Sequence, residues 1–145
     1  MSFVRTLFAL LWLVLVSCSQ QRSPGQPEER KSLDGWPKDW SACLGQSVTV
    51  EGTAINMKLG AIVSRDGAHI WIDGLWEWPS GYYLGGDEGK RVRVTGTVIQ
   101  RHDLPVFVRK AGEPLIAGIP VPEGTNLYEA SRRFLLKDAK WSLTK

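Results

Sequence analysis

The pattern Val-x-Val-x-Gly-Thr occurs twice in this chain, at 48–53 and again at 92–97, each time inside a longer alternating segment. In 46–55 (QSVTVEGTAI), Val48, Val50, Gly52 and Ala54 alternate with Thr49, Glu51, Thr53 and Ile55. In 91–100 (RVRVTGTVIQ), Val92, Val94, Gly96 and Val98 face one way and Arg91, Arg93, Thr95 and Thr97 the other. Period two is the signature of a half-buried strand. Glycine weakens a strand interior unless it marks a bulge, bend or close approach. A glycine at the same place in the two longest strands is how a small barrel bends its strands round to close. Hydrophobic content of 43% and charged content of 23% are globular values and exclude a wholly disordered chain.

Shorter strands fit around these two. Residues 59–64 read as a second strand, Asp66-Gly67 as a tight turn, and 69–72 as a third strand. A final strand falls within 134–144, with Ala139, Trp141 and Leu143 alternating. Pro37 in a first turn and Gly45 as a C-terminal cap predict a short helix between them. Its Trp40, Cys43 and Leu44 then share one face, which makes Cys43 a buried apolar residue rather than a reactive thiol. A long connection, 101–132, precedes the last strand; its prolines stiffen it, and 125–133 reads as one or two helical turns capped by Thr125 or Asn126. The expected class is all-β: a small five-stranded barrel with one or two short helices and that long connection.

Three stretches carry a resemblance: Gly45-Gln-Ser-Val-Thr-Val-Glu-Gly, Lys58-Leu-Gly-Ala-Ile-Val, and Gly89-Lys-Arg-Val-Arg-Val-Thr-Gly. Over 45–141 the chain resembles a bacterial OB-fold domain, and it is similar to uncharacterised secreted bacterial proteins with the same rhythm. The resemblance implies a five-stranded OB-like barrel with an element between strands three and four. These are patterns of fold and carry no activity.

The N-terminal stretch supplies an address. Arg5 precedes an unbroken apolar run of ten residues, 7–16, half the length that spans a bilayer. Leu15-Val16-Ser17-Cys18 resembles the lipobox of bacterial lipoproteins. The resemblance implies removal of 1–17 as a signal peptide and lipidation of Cys18. At about 0.8 kcal/mol per buried methylene, more than one acyl chain anchors stably. By the same resemblance, Ser19 rather than aspartate directs the protein to the outer membrane, facing the periplasm. Residues 18–33 form the lipidated cysteine and a polar, proline-containing tether, and 34–145 the barrel domain. Residues 1–17 contain one base and no acid, so the net charge falls from +3 to +2 without them, too little to argue for nucleic acid.

Candidate contacts concentrate in 71–86 (WIDGLWEWPSGYYLGG). If exposed, Trp76, Trp78, Tyr82 and Tyr83 would stack on sugar faces or bases; if buried, they would plug the barrel's open end. Trp71 and one further tryptophan are expected in the core. Trp76 and Trp78, flanking Glu77, would point the same way on an extended chain. Arg91 and Arg93 share a strand face and, with Arg101, Arg109, Lys110, Arg132 and Arg133, would form an anion patch if they converged. Phosphorylated lipid heads or an acidic partner would suit such a patch. Interspersed Glu51, Asp66, Asp73, Asp87 and Glu88 favour a mixed surface instead.

Catalysis finds little support. His102 and Asp103 are neighbours, which point opposite ways on an extended chain, and no Gly-x-Ser-x-Gly elbow accompanies them. His69 and His102 lack metal-ligand spacing, so no metal and no cofactor is expected. The expected function is a lipid-anchored, non-catalytic binding or scaffolding module, its ligand an envelope protein or glycan. Its candidate contacts are Trp76, Trp78, Tyr82, Tyr83, His102, Arg91 and Arg93, from the 76–83 loop, the 101–124 connection and one strand. A lipoprotein inhibitor or immunity protein against an envelope-attacking enzyme is the second expectation, resting on address and size. An enzyme of unknown chemistry is the third.

Overall fold

Strand β1 (Ser47–Met57) has two partners in succession, and that change closes the sheet. Residues 47–53 pair antiparallel with 91–97 of β4 (Arg91–His102), and 53–57 pair antiparallel with β2 (Gly60–Arg65). A turn at Asp66 and Gly67 leads from β2 into β3 (Ala68–Ile72). Strand β5 (Arg132–Leu143) lies between β3 and β4, parallel to the first and antiparallel to the second. The order β1-β2-β3-β5-β4-β1 is a closed, all-β, OB-like barrel, as the sequence predicts. The computed structural model describes residues 33–86, 88–109, 112 and 117–144. The expected leader, Cys18, nearly all of the tether, and Lys110 lie outside the described residues. A short extra strand, Leu33–Asp34, pairs parallel with Val48 and Thr49 on the side of β1 that β2 leaves open.

The paired glycines are required by crowding. A Cβ on Gly52 would sit 2.5 Å from the Ser64 carbonyl oxygen and 2.8 Å from Val63 Cγ1. On Gly96 it would sit 2.9 Å from Leu136 Cβ and 3.0 Å from the Lys137 oxygen. Gly52 stands where β1 hands over from β4 to β2, so a bare backbone there lets two sheet segments approach. Val48, Val50, Val92, Val94, Val98 and Leu136 fill the interior at 0–1% exposure.

Where the OB-fold resemblance implies an element between strands three and four, a loop plugs the barrel. Trp78 enters the core, stacks on Tyr82 at 5.8 Å and 12°, and meets Trp141 edge-on at 5.3 Å. The Trp78 backbone N–H donates to Asn56 Oδ1 and its indole N–H to the Ile62 carbonyl, so burial strands neither donor.

Two local expectations differ. The helix expected between Pro37 and Gly45 is one 3-10 turn, Ser41–Cys43. The Asp39 carboxylate takes both the Ser41 N–H and hydroxyl, offering the backbone an alternative to helix; those bonds hold its carboxyl below the usual range. Cys43 is buried, but Leu44 is 44% exposed because the turn ends before the helical face develops. The second helix is a single turn, α1 (Leu127–Ala130), capped by Asn126 as expected. In β5 the register shifts between Lys137 and Lys140, with Asp138 at φ 53°. Leu143 shares the face of Val92, its cross-strand partner, but stands exposed at the strand's last residue.

Candidate functional site

Alternation puts Ile70 and Ile72 inside the barrel, which turns Trp71 outward. Trp71 is nonetheless buried, in a second cluster with Ile62 and Leu135 on the barrel's outer face, edged by Ile55, Leu59, Ile99 and Leu104. Trp71 is thus buried as expected, in the second of two core clusters, and Trp78 in the first is the further core tryptophan. The cover of Trp71 is an arginine. The Arg133 guanidinium lies 5.0 Å above the Trp71 ring, donates to both Asp103 oxygens at 2.6 and 2.8 Å, and reaches the Leu59 carbonyl at 3.2 Å. One side chain thereby joins the β1–β2 turn, β3, β5 and the start of the long connection.

Beside this cover opens a cleft of about 140 Å³. Leu59, Ile72, Leu75 and Leu135 contribute its apolar lining, and Trp76 stands on its rim at 73% exposure. Its polar lining comes from Asp73, Arg101 and Arg133. Arg101 Nη2 lies 2.8 Å from Asp73 Oδ1 as an ion pair. Each arginine is matched to a carboxylate, Arg101 to Asp73 in the lining and Arg133 to Asp103 outside it, so the two pairs together carry no net charge. The Arg133 hydrogen bonds hold the Asp103 carboxyl below its usual range, against an opposing push from burial.

Trp76 and Trp78 do not share a face. Gly74 at φ 75° and the bends at Trp76 and Glu77 break the extended geometry on which that expectation rests. Trp78 is 5% exposed inside the barrel while Trp76 points to solvent. Tyr82 and Tyr83 are half-buried, the first under Trp78 and the second donating its hydroxyl to the Gly86 carbonyl. His102 lies outside the cleft lining. Its ring stacks on Tyr128 at 3.8 Å and 4°, its Nδ1 meets the Tyr128 carbonyl and its Nε2 the Gln100 amide, a structural tie between β4 and α1.

Of the basic residues only Arg101 and Arg133 meet, in the cleft, and each is paired with a carboxylate. Arg91 is exposed on β4, and Arg93 pairs with Glu51 at 2.8 Å beside a second, polar hollow that Asp34 and Arg65 also line. Arg132 pairs with Glu129 at 3.5 Å. The mixed-charge surface replaces the anion patch. The sequence reading left Leu59 and the partnership of Asp73 with Arg101 unassigned to any site. Both arise from residues far apart in the chain, and no local signal marks them. Among the described residues no group of three His, Cys, Asp or Glu side chains gathers to hold a metal, and no helix is long and apolar enough to cross a membrane. No family model, no curated protein and no solved structure matches this chain.

Proposed function

We propose that the protein is a lipid-anchored, non-catalytic glycan-binding module of the bacterial envelope, tethered through Cys18 at the outer membrane and facing the periplasm. The observation that carries the binding reading is Trp76, 73% exposed on the rim of a cleft whose other walls are fixed by packing and ion pairs. Burying a large apolar side chain is worth about 1.5–3 kcal/mol, a gain this position forgoes. Stacking on a ligand ring would return about 1–3 kcal/mol, by analogy with bases on aromatics. By analogy of fold, the outer face of strands two and three and the loops after strands one and four form the ligand surface of OB barrels. Leu59 stands in the first of those loops, Trp71 on strand three, and Arg101 near the end of β4, two residues before the second loop. The address rests on Arg5, the apolar run and Leu15-Val16-Ser17-Cys18.

Sedimentation of the full chain with purified cell-wall sacculi, in a sugar-free detergent, tests the binding reading. Wild type should co-sediment and Trp76→Ala should stay in the supernatant; equal sedimentation, or none for either, overturns it. Metabolic labelling with a fatty acid tests the address. Cys18→Ala should lose the label, and equal labelling of both chains defeats the anchor.

A further inference from the structure

We infer that the cleft takes one uncharged pyranose ring and discriminates against anionic sugars and phosphate. This rests on the glycan-binding reading and adds the ligand class. Size is the first ground. A closed cavity of about 150 Å³ holds a single benzene; this cleft, at about 140 Å³ and open to solvent, is too small to enclose a sugar and can take only one ring against its wall.

Charge is the second ground. Exposed arginines ordinarily recruit anions, but Asp73 already holds Arg101, and Asp103 holds Arg133 through two hydrogen bonds. An anion entering the cleft would have to displace Asp73, whose side chain is only 14% exposed, or lie against it. A sugar hydroxyl meets no such conflict. It donates its proton to a carboxylate oxygen and accepts from a guanidinium N–H, so two neighbouring hydroxyls complement the Asp73–Arg101 pair.

Shape is the third. A pyranose has an apolar C–H face and a hydroxyl rim. Trp76 supplies a flat apolar surface to the cleft, and the Asp73–Arg101 ion pair in the same lining supplies polar partners. Arg133, 15% exposed and pinned by Asp103, Leu59 and Trp71, keeps the wall in place before a ligand arrives.

Calorimetric titration of the full chain in a sugar-free detergent tests this, with methyl glucoside, the N-acetylglucosamine disaccharide, glucuronic acid and inorganic phosphate as probes. A neutral sugar should bind at least about fivefold more tightly than glucuronic acid or phosphate, the scale of one partly exposed ion pair. Trp76→Ala should weaken the neutral sugar by about fivefold or more, with Trp76→Phe recovering part of the loss. Asp73→Asn, which releases Arg101, should reverse the preference towards glucuronic acid. If that variant fails to fold, judged by circular dichroism, the wild-type ranking of neutral against anionic probes decides alone. Tighter binding of an anion by wild type, or neutral binding indifferent to Trp76, overturns the inference. Sedimentation with sacculi but no affinity for either neutral sugar also overturns it while leaving the glycan reading standing. Failure of both assays removes both.

Discussion

Trp76 and Trp78 lie two residues apart, yet one is 73% exposed and the other 5%. They belong to two differently built regions. Trp78 sits inside the barrel, where apolar surfaces press on one another and its two N–H groups are satisfied by Asn56 and Ile62. Trp76 sits beside the outer cluster, where an apolar floor is covered by charged side chains paired with each other. The interior gains stability only while filled. The outer face holds polar pairs that stay satisfied in water, so it can exchange water for a ligand without unfolding.

Truncation should separate the two regions most sharply. Trp78→Ala removes the ring that touches Tyr82 and Trp141 and should cost about 3–5 kcal/mol. Trp76→Ala, at an exposed rim, should stay within about 0.5 kcal/mol of wild type. Denaturant midpoints of the two full-length variants decide; equal losses would abolish the distinction. Added volume should separate them next. Gly52→Val places a side chain against the Ser64 carbonyl, a backbone atom held in the β1–β2 pairing, and should cost about 1–3 kcal/mol. A neutral Gly52→Val would mean the interior has slack that the geometry denies.

The two regions were also unequally legible. The alternation of Val48 to Ala54 and of Val92 to Val98 announces the interior, because inward positions obey a local period of two and need only be apolar. Cys43 is buried as expected, although the helical face from which its burial is read does not form and Leu44 on that face is exposed. The face of Trp78 was lost because alternation holds only in strands, and Gly74 turns the chain before it can apply. The bulge at Asp138 escapes for a related reason: no local pattern near Lys137 distinguishes a shifted register from a regular one. The outer site was legible only as ingredients. Arg101 and Arg133 are visible in the sequence as charges, but their meaning depends on Asp73 and Asp103, roughly thirty residues away in each case, and ion pairing across that distance leaves no periodic trace. Trp71 was readable as buried, and its outward direction follows from Ile70 and Ile72 once the strand is granted.

Removing the cover of the outer cluster should have a smaller effect than emptying the interior. Arg133→Ala strips the hydrogen bonds to Asp103 and Leu59 and uncovers Trp71. The expected loss is about 1–2 kcal/mol, since water can replace much of what the guanidinium supplied. Acrylamide quenching should show a newly accessible tryptophan in this variant. Unchanged quenching would mean that Leu59 and Leu104, rather than Arg133, cover the ring.

The smallest effect is electrostatic and has a sign that only the outer face predicts. Hydrogen bonds from Arg133 hold the Asp103 carboxyl below its ordinary range in the folded state. Its ionised form is therefore favoured by the folded state. The stability this adds is present above the unfolded pKa and is lost as pH falls through the lower, folded one. Asp103→Asn should cost less than about 1 kcal/mol at neutral pH, because the pair is partly exposed and screened. The gap between wild type and variant should stay constant from neutral pH down to about 5, then shrink as the solution becomes more acidic. Asp39 loses its own contribution in that window, but equally in both chains, so it cancels in the difference. Trp78→Ala, which removes no charge, should show a gap that does not close with acid. If the Asp103→Asn gap stays level to pH 2, the Arg133 cover is held by packing on Trp71 alone, and the charge neutrality of the cleft rests on Asp73.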